Sequence, residues 1–198
     1  MILAVGLGVS ATPAAASSLV IPGSTEAVPG VNRILSVART ELAKRPAERG
    51  SDNVPRYHGG KGRIAPYSIS AAWCVAFATW TWDHAGFTDY QGTKLVWPSE
   101  DGTPVAVQVR DLSRWAQRGG YWSFRAQAGY LVVYGRGHIG VITKVDRDGR
   151  AIASIEGNKS DRVSKVVVPF DEVTGYISPV RLSAGQAVSR TSARADID

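Results

Sequence analysis

The 198-residue sequence has one cysteine, Cys74, only three histidines and no internal repeat. A single cysteine excludes an internal disulfide, and with it the small scaffolds that depend on disulfide staples. One cysteine and three scattered histidines offer no ligand pair at the spacing that zinc sites use, so no metal and no cofactor is expected. Long apolar runs are missing too. The longest, at the N-terminus, has about ten apolar residues interrupted by Gly, Ser and Pro, too short to span a bilayer, so no stable membrane insertion is expected. The stretch GSDNVPRYHGGKGRIAPYSI (50–69) has glycines with Lys and Arg. It lacks the Lys followed by Ser or Thr that opens the helix of a phosphate loop, which argues against a nucleotide site.

What is present suits one well-buried domain: 44% of residues are hydrophobic, and the chain is too short for two domains of ordinary size. Residues 1–16 end in Ala14-Ala15-Ala16, a small-residue cleavage pattern, and are predicted to be a signal peptide of a secreted protein. Residues 17–30 read as a flexible leader, 31–181 as the folded domain and 182–198 as a polar, disordered tail. A lone thiol in an oxidising compartment is either buried beyond reach or kept for its reactivity. The formal charge of +6 draws an exported protein to anionic surfaces such as wall polymers, lipid head groups or nucleic acid. No aromatic-basic stripe supports a nucleic-acid partner, and a monomer is expected.

Along the chain, apolar positions at Val31, Ile34, Leu35, Val37, Ala38, Leu42 and Ala43 predict an amphipathic helix over 31–47, closed by Pro46 and Gly50. Residues 70–87 are apolar on nearly every side and predict a helix enclosed by other elements, capped by Ser70 and ended by Gly86. Cys74 then lies near its start, where the macrodipole favours the reactive thiolate. On the helix alone, Cys74 reads first as a small core hydrophobe. After a loop at 88–103, residues 105–117 predict a second amphipathic helix with Val107, Val109, Leu112 and Trp115 inward. Short β-branched runs follow at 130–134, 139–145, 151–156, 163–168 and 175–179, and Asp146-Arg147-Asp148-Gly149 marks a hairpin. The class is α+β: N-terminal helices, one buried and bearing the cysteine, packed on a C-terminal antiparallel sheet.

Residues 135–140 match G-x-G-x-x-G, yet a β-branched strand follows where a dinucleotide site needs a helix, so the match is a decoy. His138 opens that strand. His84 faces elsewhere on the cysteine helix, and His58 sits in the irregular loop as a candidate substrate contact. A cysteine nucleophile needs a base, and the base a third group to hold it. Across the 146–149 hairpin, the end of one strand lies beside the start of its partner, so Glu156 and His138 are expected to be neighbours, with Asn158 just beyond.

The stretches WCVAFATWTWDHAGF (73–87), GHIGVITKV (137–145) and IEGN (155–158), in that order, resemble the CHAP family of cysteine- and histidine-dependent amidohydrolases and peptidases, within the papain-like superfamily. The resemblance runs from ILSVARTEL (34–42) to Pro179. It implies a papain-like fold and a secreted or phage-type cell-wall hydrolase cutting amide bonds of peptidoglycan. It further implies Cys74 as nucleophile, His138 as base and acid, Glu156 as the residue orienting the imidazole and Asn158 as a supporting polar group. Trp73, Tyr57 and His58 are the expected substrate contacts, and anionic wall polymers possible partners. Family members commonly carry Asp where this chain has Tyr130, a departure that touches the local turn more than the chemistry. The alternative is an inert module of the same fold that holds glycan or wall polymer without cutting it.

Overall fold

The computed structural model describes residues 30–58, 62–87 and 108–182. The expected signal peptide, nearly all of the leader and tail, the 88–103 loop and the start of the 105–117 helix lie outside them. Helix α1, Val31–Ala43, buries Ile34, Leu35, Ala38 and Glu41 along one stripe. It ends earlier than the periodicity predicts, because Arg45 turns left-handed (φ 51°) ahead of Pro46. Helix α2, Cys74–His84, is buried on most of its surface. Helix α3, Val109–Gly119, turns Val109, Leu112 and Ala116 inward, while Trp115 stacks on Tyr121 with centroids 4.7 Å apart.

The strands are β1 (Trp122–Ser123), β2 (Leu131–Tyr134), β3 (His138–Asp146), β4 (Ala151–Glu156), β5 (Ser164–Pro169) and β6 (Val173–Ile177). They form one sheet of order β1-β6-β2-β3-β4-β5, antiparallel throughout. All four residues of β2 are buried, as are 139–142 of β3, after which β3 alternates half-buried and exposed. Two-sided burial at the start of β3 and alternation at its end mark where cover of the sheet stops. The β3–β4 hairpin turns where expected, with the Asp146 carboxylate accepting from Gly149 N–H at 3.0 Å. Residues 135–137 form the β2–β3 turn rather than a helix start, so the G-x-G-x-x-G match is a hairpin.

Helix α2 begins four residues later than predicted. Ser70 lies in the left-handed region (φ 56°) and caps nothing; Trp73 is the N-cap, and no side chain caps the first turn. Partners from elsewhere fix the entry instead, as described below. The far end is as expected: Gly86 takes φ 68°, and Gly86 and Phe87 N–H groups donate back to Asp83 and Trp82 carbonyls, a Schellman ending that glycine makes cheap. Trp82 ties α2 to the sheet by donating from its indole to Gly129 O at 2.9 Å. Tyr130 is buried. The result is an α+β arrangement, with a cysteine-bearing helix laid against an antiparallel sheet.

Candidate active site

Cys74 is the first residue of α2 and is 7% exposed. The first N–H groups of a helix have no acceptor within it, and with no side-chain cap they remain available around the thiol. Facing Cys74, His138 opens β3 with 21% of its side chain exposed, near enough to the thiol for each to act on the other's charge. His138 Nε2 lies 3.0 Å from Glu156 Oε2. A carboxylate only accepts, so Nε2 carries the proton and Nδ1 is left for the thiol. Burial works against a charge on His138, but its partners Cys74 and Glu156 and their negative charge outweigh it, pushing the imidazole up to about 9.

The β3–β4 register explains how these residues meet. Val141 pairs with Ile155, so Glu156 falls beside Gly140, and its side chain must cross that position to reach His138 two residues along on the same face. A Cβ on Gly140 would stand 2.6 Å from Glu156 Cγ. The glycine is the open space through which the carboxylate passes.

Glu156 is 1% exposed and holds two further donors on Oε1: Tyr134 OH at 2.6 Å and Ser154 Oγ at 2.6 Å. The two hydroxyl oxygens are 3.0 Å apart. Burial disfavours the carboxylate, yet the bonds from His138, Ser154 and Tyr134 hold it below its ordinary range. Sequence reasoning missed Tyr134 and Ser154. Ser154 shares the face of Glu156 by the period of two, and Tyr134 pairs with His138 in the β2–β3 register, so both signals lay in the strand pattern.

Asn158, left-handed at φ 55°, reaches a different part of the site. Its amide donates to Glu48 Oε1 at 3.2 Å and accepts from Trp73 N–H at 3.1 Å, an orientation set by its partners. Glu48 Oε1 also accepts from the Trp73 indole at 2.7 Å, and Oε2 from Asn53 N–H at 2.7 Å. Asn158 therefore supports the backbone entering α2 rather than the imidazole.

Trp73 corrects an expectation: it is fully buried, stacked on Tyr67 with centroids 5.5 Å apart, and presents no face to a substrate. Tyr57 is half-buried, its ring 4.6 Å from the Arg63 guanidinium and 5.4 Å from Lys44 Nζ, and burial and the nearby Glu41 push its hydroxyl well above the ordinary range. Tyr67 OH, at 3.0 Å, and Lys44 Nζ, at 2.8 Å, donate to the same buried Glu41. His58 is exposed. His84 is exposed at the far end of α2 and stacks on Trp80 at 4.7 Å. Among the described residues, no cluster of three or more His, Cys, Asp or Glu is arranged to hold a metal ion.

Among curated proteins, none matches this sequence. One solved structure that it resembles is described as "The crystal structure of Ly7917 with the hydrolyzing product of MDP"; the two are 19% identical with a TM-score of 0.44, the likeness covering 75% of this chain and 62% of that one. The family model for the CHAP domain matches residues 66–158, a span that takes in Cys74, His138, Glu156 and Asn158 and leaves α1, β5 and β6 outside.

Proposed function

We propose that this protein is a secreted cell-wall hydrolase that cleaves amide bonds of peptidoglycan by a thiol mechanism. The observation that carries the reading is Cys74 at the uncapped start of α2, facing an imidazole that a buried carboxylate holds. The CHAP domain match supports the substrate class, and the apolar N-terminal run ending in Ala14-Ala15-Ala16 supports export. The surplus of positive charge suits a role beside anionic wall polymers.

In this mechanism the thiol proton already resides on His138 Nδ1, as an imidazole raised to about 9 implies, and the Cys74 sulfur attacks the amide carbonyl carbon. The oxyanion forms against the free N–H groups at the start of α2. His138 gives its proton to the leaving amine as the C–N bond breaks, leaving an acyl-thioester on Cys74. Water then attacks this ester, His138 taking its proton and returning one to the sulfur, so that a carboxylic acid leaves and the thiol is restored. Glu156 keeps Nε2 protonated and stabilises the imidazolium throughout. Tyr57 and His58, on the loop at 50–69, are the proposed substrate contacts.

The test is mass spectrometry of soluble products from purified peptidoglycan digested by the mature protein, with Cys74→Ala alongside. The wild type is expected to release products and Cys74→Ala to lose about 10³-fold or more of the rate with its circular dichroism unchanged. Free stem peptides with an N-terminal alanine identify an amidase; shortened stems or opened cross-links identify an endopeptidase. Equal release by the variant would remove Cys74 from the mechanism. No product from several wall chemotypes, with Cys74 alkylated no faster than an ordinary thiol, would establish the inert binding module instead.

A further inference from the structure

We propose that Tyr134 and Ser154 are positioning residues, whose paired hydroxyls pin one oxygen of Glu156 so that the other stays on His138. The proposal rests on the thiol mechanism above and extends it to two residues that touch neither the thiol nor the imidazole by a hydrogen bond.

Each hydroxyl carries a single proton. With both donated to Glu156 Oε1 at 2.6 Å, the 3.0 Å separation between the two hydroxyl oxygens has no proton to share. Three donors, two hydroxyls and one imidazole N–H, converge on a group that offers none in return, and this is the complement of an ionised carboxylate. The two donors come from different strands. Ser154 precedes Glu156 by two residues on β4, and Tyr134 reaches across from β2, its ring near-parallel to the His138 imidazole (17°) with centroids 6.0 Å apart. The carboxylate is therefore held from two directions on Oε1 and cannot rotate away from His138 without breaking both bonds.

Among the described residues, the surroundings supply no substitute. From β3 the group facing Glu156 is His138; from α2 it is Cys74, acting through His138. From β2 it is Tyr134, with Tyr176 of β6 beyond it and Arg147 acting on Tyr176. From β5 it is Ser164, the register partner of Glu156. Removing the two hydroxyls leaves burial, which favours the neutral acid, opposed by His138 alone. Glu156 then takes up a proton at a higher pH than in the wild type. A carboxylate held low acts above its folded pKa and is lost as pH falls through it, so the acid limb of Cys74 reactivity moves toward neutral.

The experiment measures the rate of Cys74 alkylation by iodoacetamide from pH 4 to 10, and peptidoglycan hydrolysis over the same range, in the wild type, Ser154→Ala, Tyr134→Phe and the double variant. The expected result is an acid limb displaced upward by about one pH unit in the double variant, which is about tenfold in rate on that limb, with rates on the plateau within about threefold. Ser154→Thr, which keeps the hydroxyl, is expected to follow the wild type. Limbs that coincide with the wild type, or a rate lowered equally at every pH, would overturn the proposal. If Tyr134→Phe does not fold, Ser154→Ala against Ser154→Thr makes the same comparison. A wild-type thiol that alkylates at an ordinary rate at every pH, with Cys74→Ala still hydrolysing wall, would overturn the thiol mechanism and this proposal together. Unmoved limbs in an enzyme that does depend on Cys74 overturn this proposal alone.

Discussion

Gly140 shows how much of the site depends on one missing side chain. The Glu156 side chain passes over it on the way to His138, and a methyl group there would stand 2.6 Å from Glu156 Cγ. Gly140→Ala must push the carboxylate aside or open the β3–β4 pairing. Forcing a methyl into so tight a place costs about 1–3 kcal/mol, and moving an orienting group by about 1 Å can cost about 10²-fold in rate. We expect Gly140→Ala to fold with a lower thermal midpoint and to lose about 10²-fold in kcat/KM on peptidoglycan fragments; a variant with full kcat/KM would show that Glu156 does not need this path. At this scale the sequence was informative where chemistry restricts residue type. The lone cysteine, the strand-opening His138 and the hairpin marked by Asp146 to Gly149 together placed His138 beside Glu156. Tyr134 and Ser154 escaped because Tyr and Ser suit a strand interior for many reasons, and only the β2–β3 and β3–β4 registers bring both onto one carboxylate oxygen. Trp73 misled because an aromatic next to a nucleophile fits a cleft wall and a buried prop equally well.

At the scale of elements, α2 carries the clearest departure from local rules. Its C-terminus follows the sequence signal, Gly86 taking the left-handed conformation. Its N-terminus does not, because Ser70 is displaced and the entry is held by Glu48 and Asn158 from distant parts of the chain. Such a cap is invisible to local reading, since nothing within a few residues of Cys74 supplies it. It also leaves the first turn free of a side chain that would compete for the N–H groups around the thiol. Glu48→Ala removes the acceptor of the Trp73 indole, of Asn53 N–H and of the Asn158 amide. Leaving buried donors unpaired costs about 1–3 kcal/mol, so we expect a lower urea midpoint with an unchanged slope. An unchanged midpoint would mean that the entry to α2 is fixed by packing alone. The strands were largely legible from their β-branched runs. Two-residue β1 was not, being too short to show a period, and α1 was overextended because its apolar pattern runs on past the left-handed Arg45.

Across the whole molecule, the α+β order of helices then sheet was readable from the change of texture near Tyr130, whereas the strand order was not. β6 inserts between β1 and β2, a pairing that depends on the chain returning across the sheet rather than on any local pattern. The proposed nucleophile and its proposed base belong to different layers: Cys74 rides on α2, while His138 and Glu156 lie within the sheet. A loosened state that kept its helices and strands but lost the packing between them would contain every side chain of the proposed site and no Cys74–His138 pair. Cys74 is thus a built-in gauge of interlayer docking. In mild acid or low denaturant, its fast alkylation should vanish together with the near-ultraviolet dichroism of buried Trp73 and Trp82, while the far-ultraviolet signal persists; fast alkylation outlasting the near-ultraviolet signal would show that the pair survives undocking. Hydrolysis would then switch off before the chain unravels, so the protein would fall silent while still looking folded to a backbone probe.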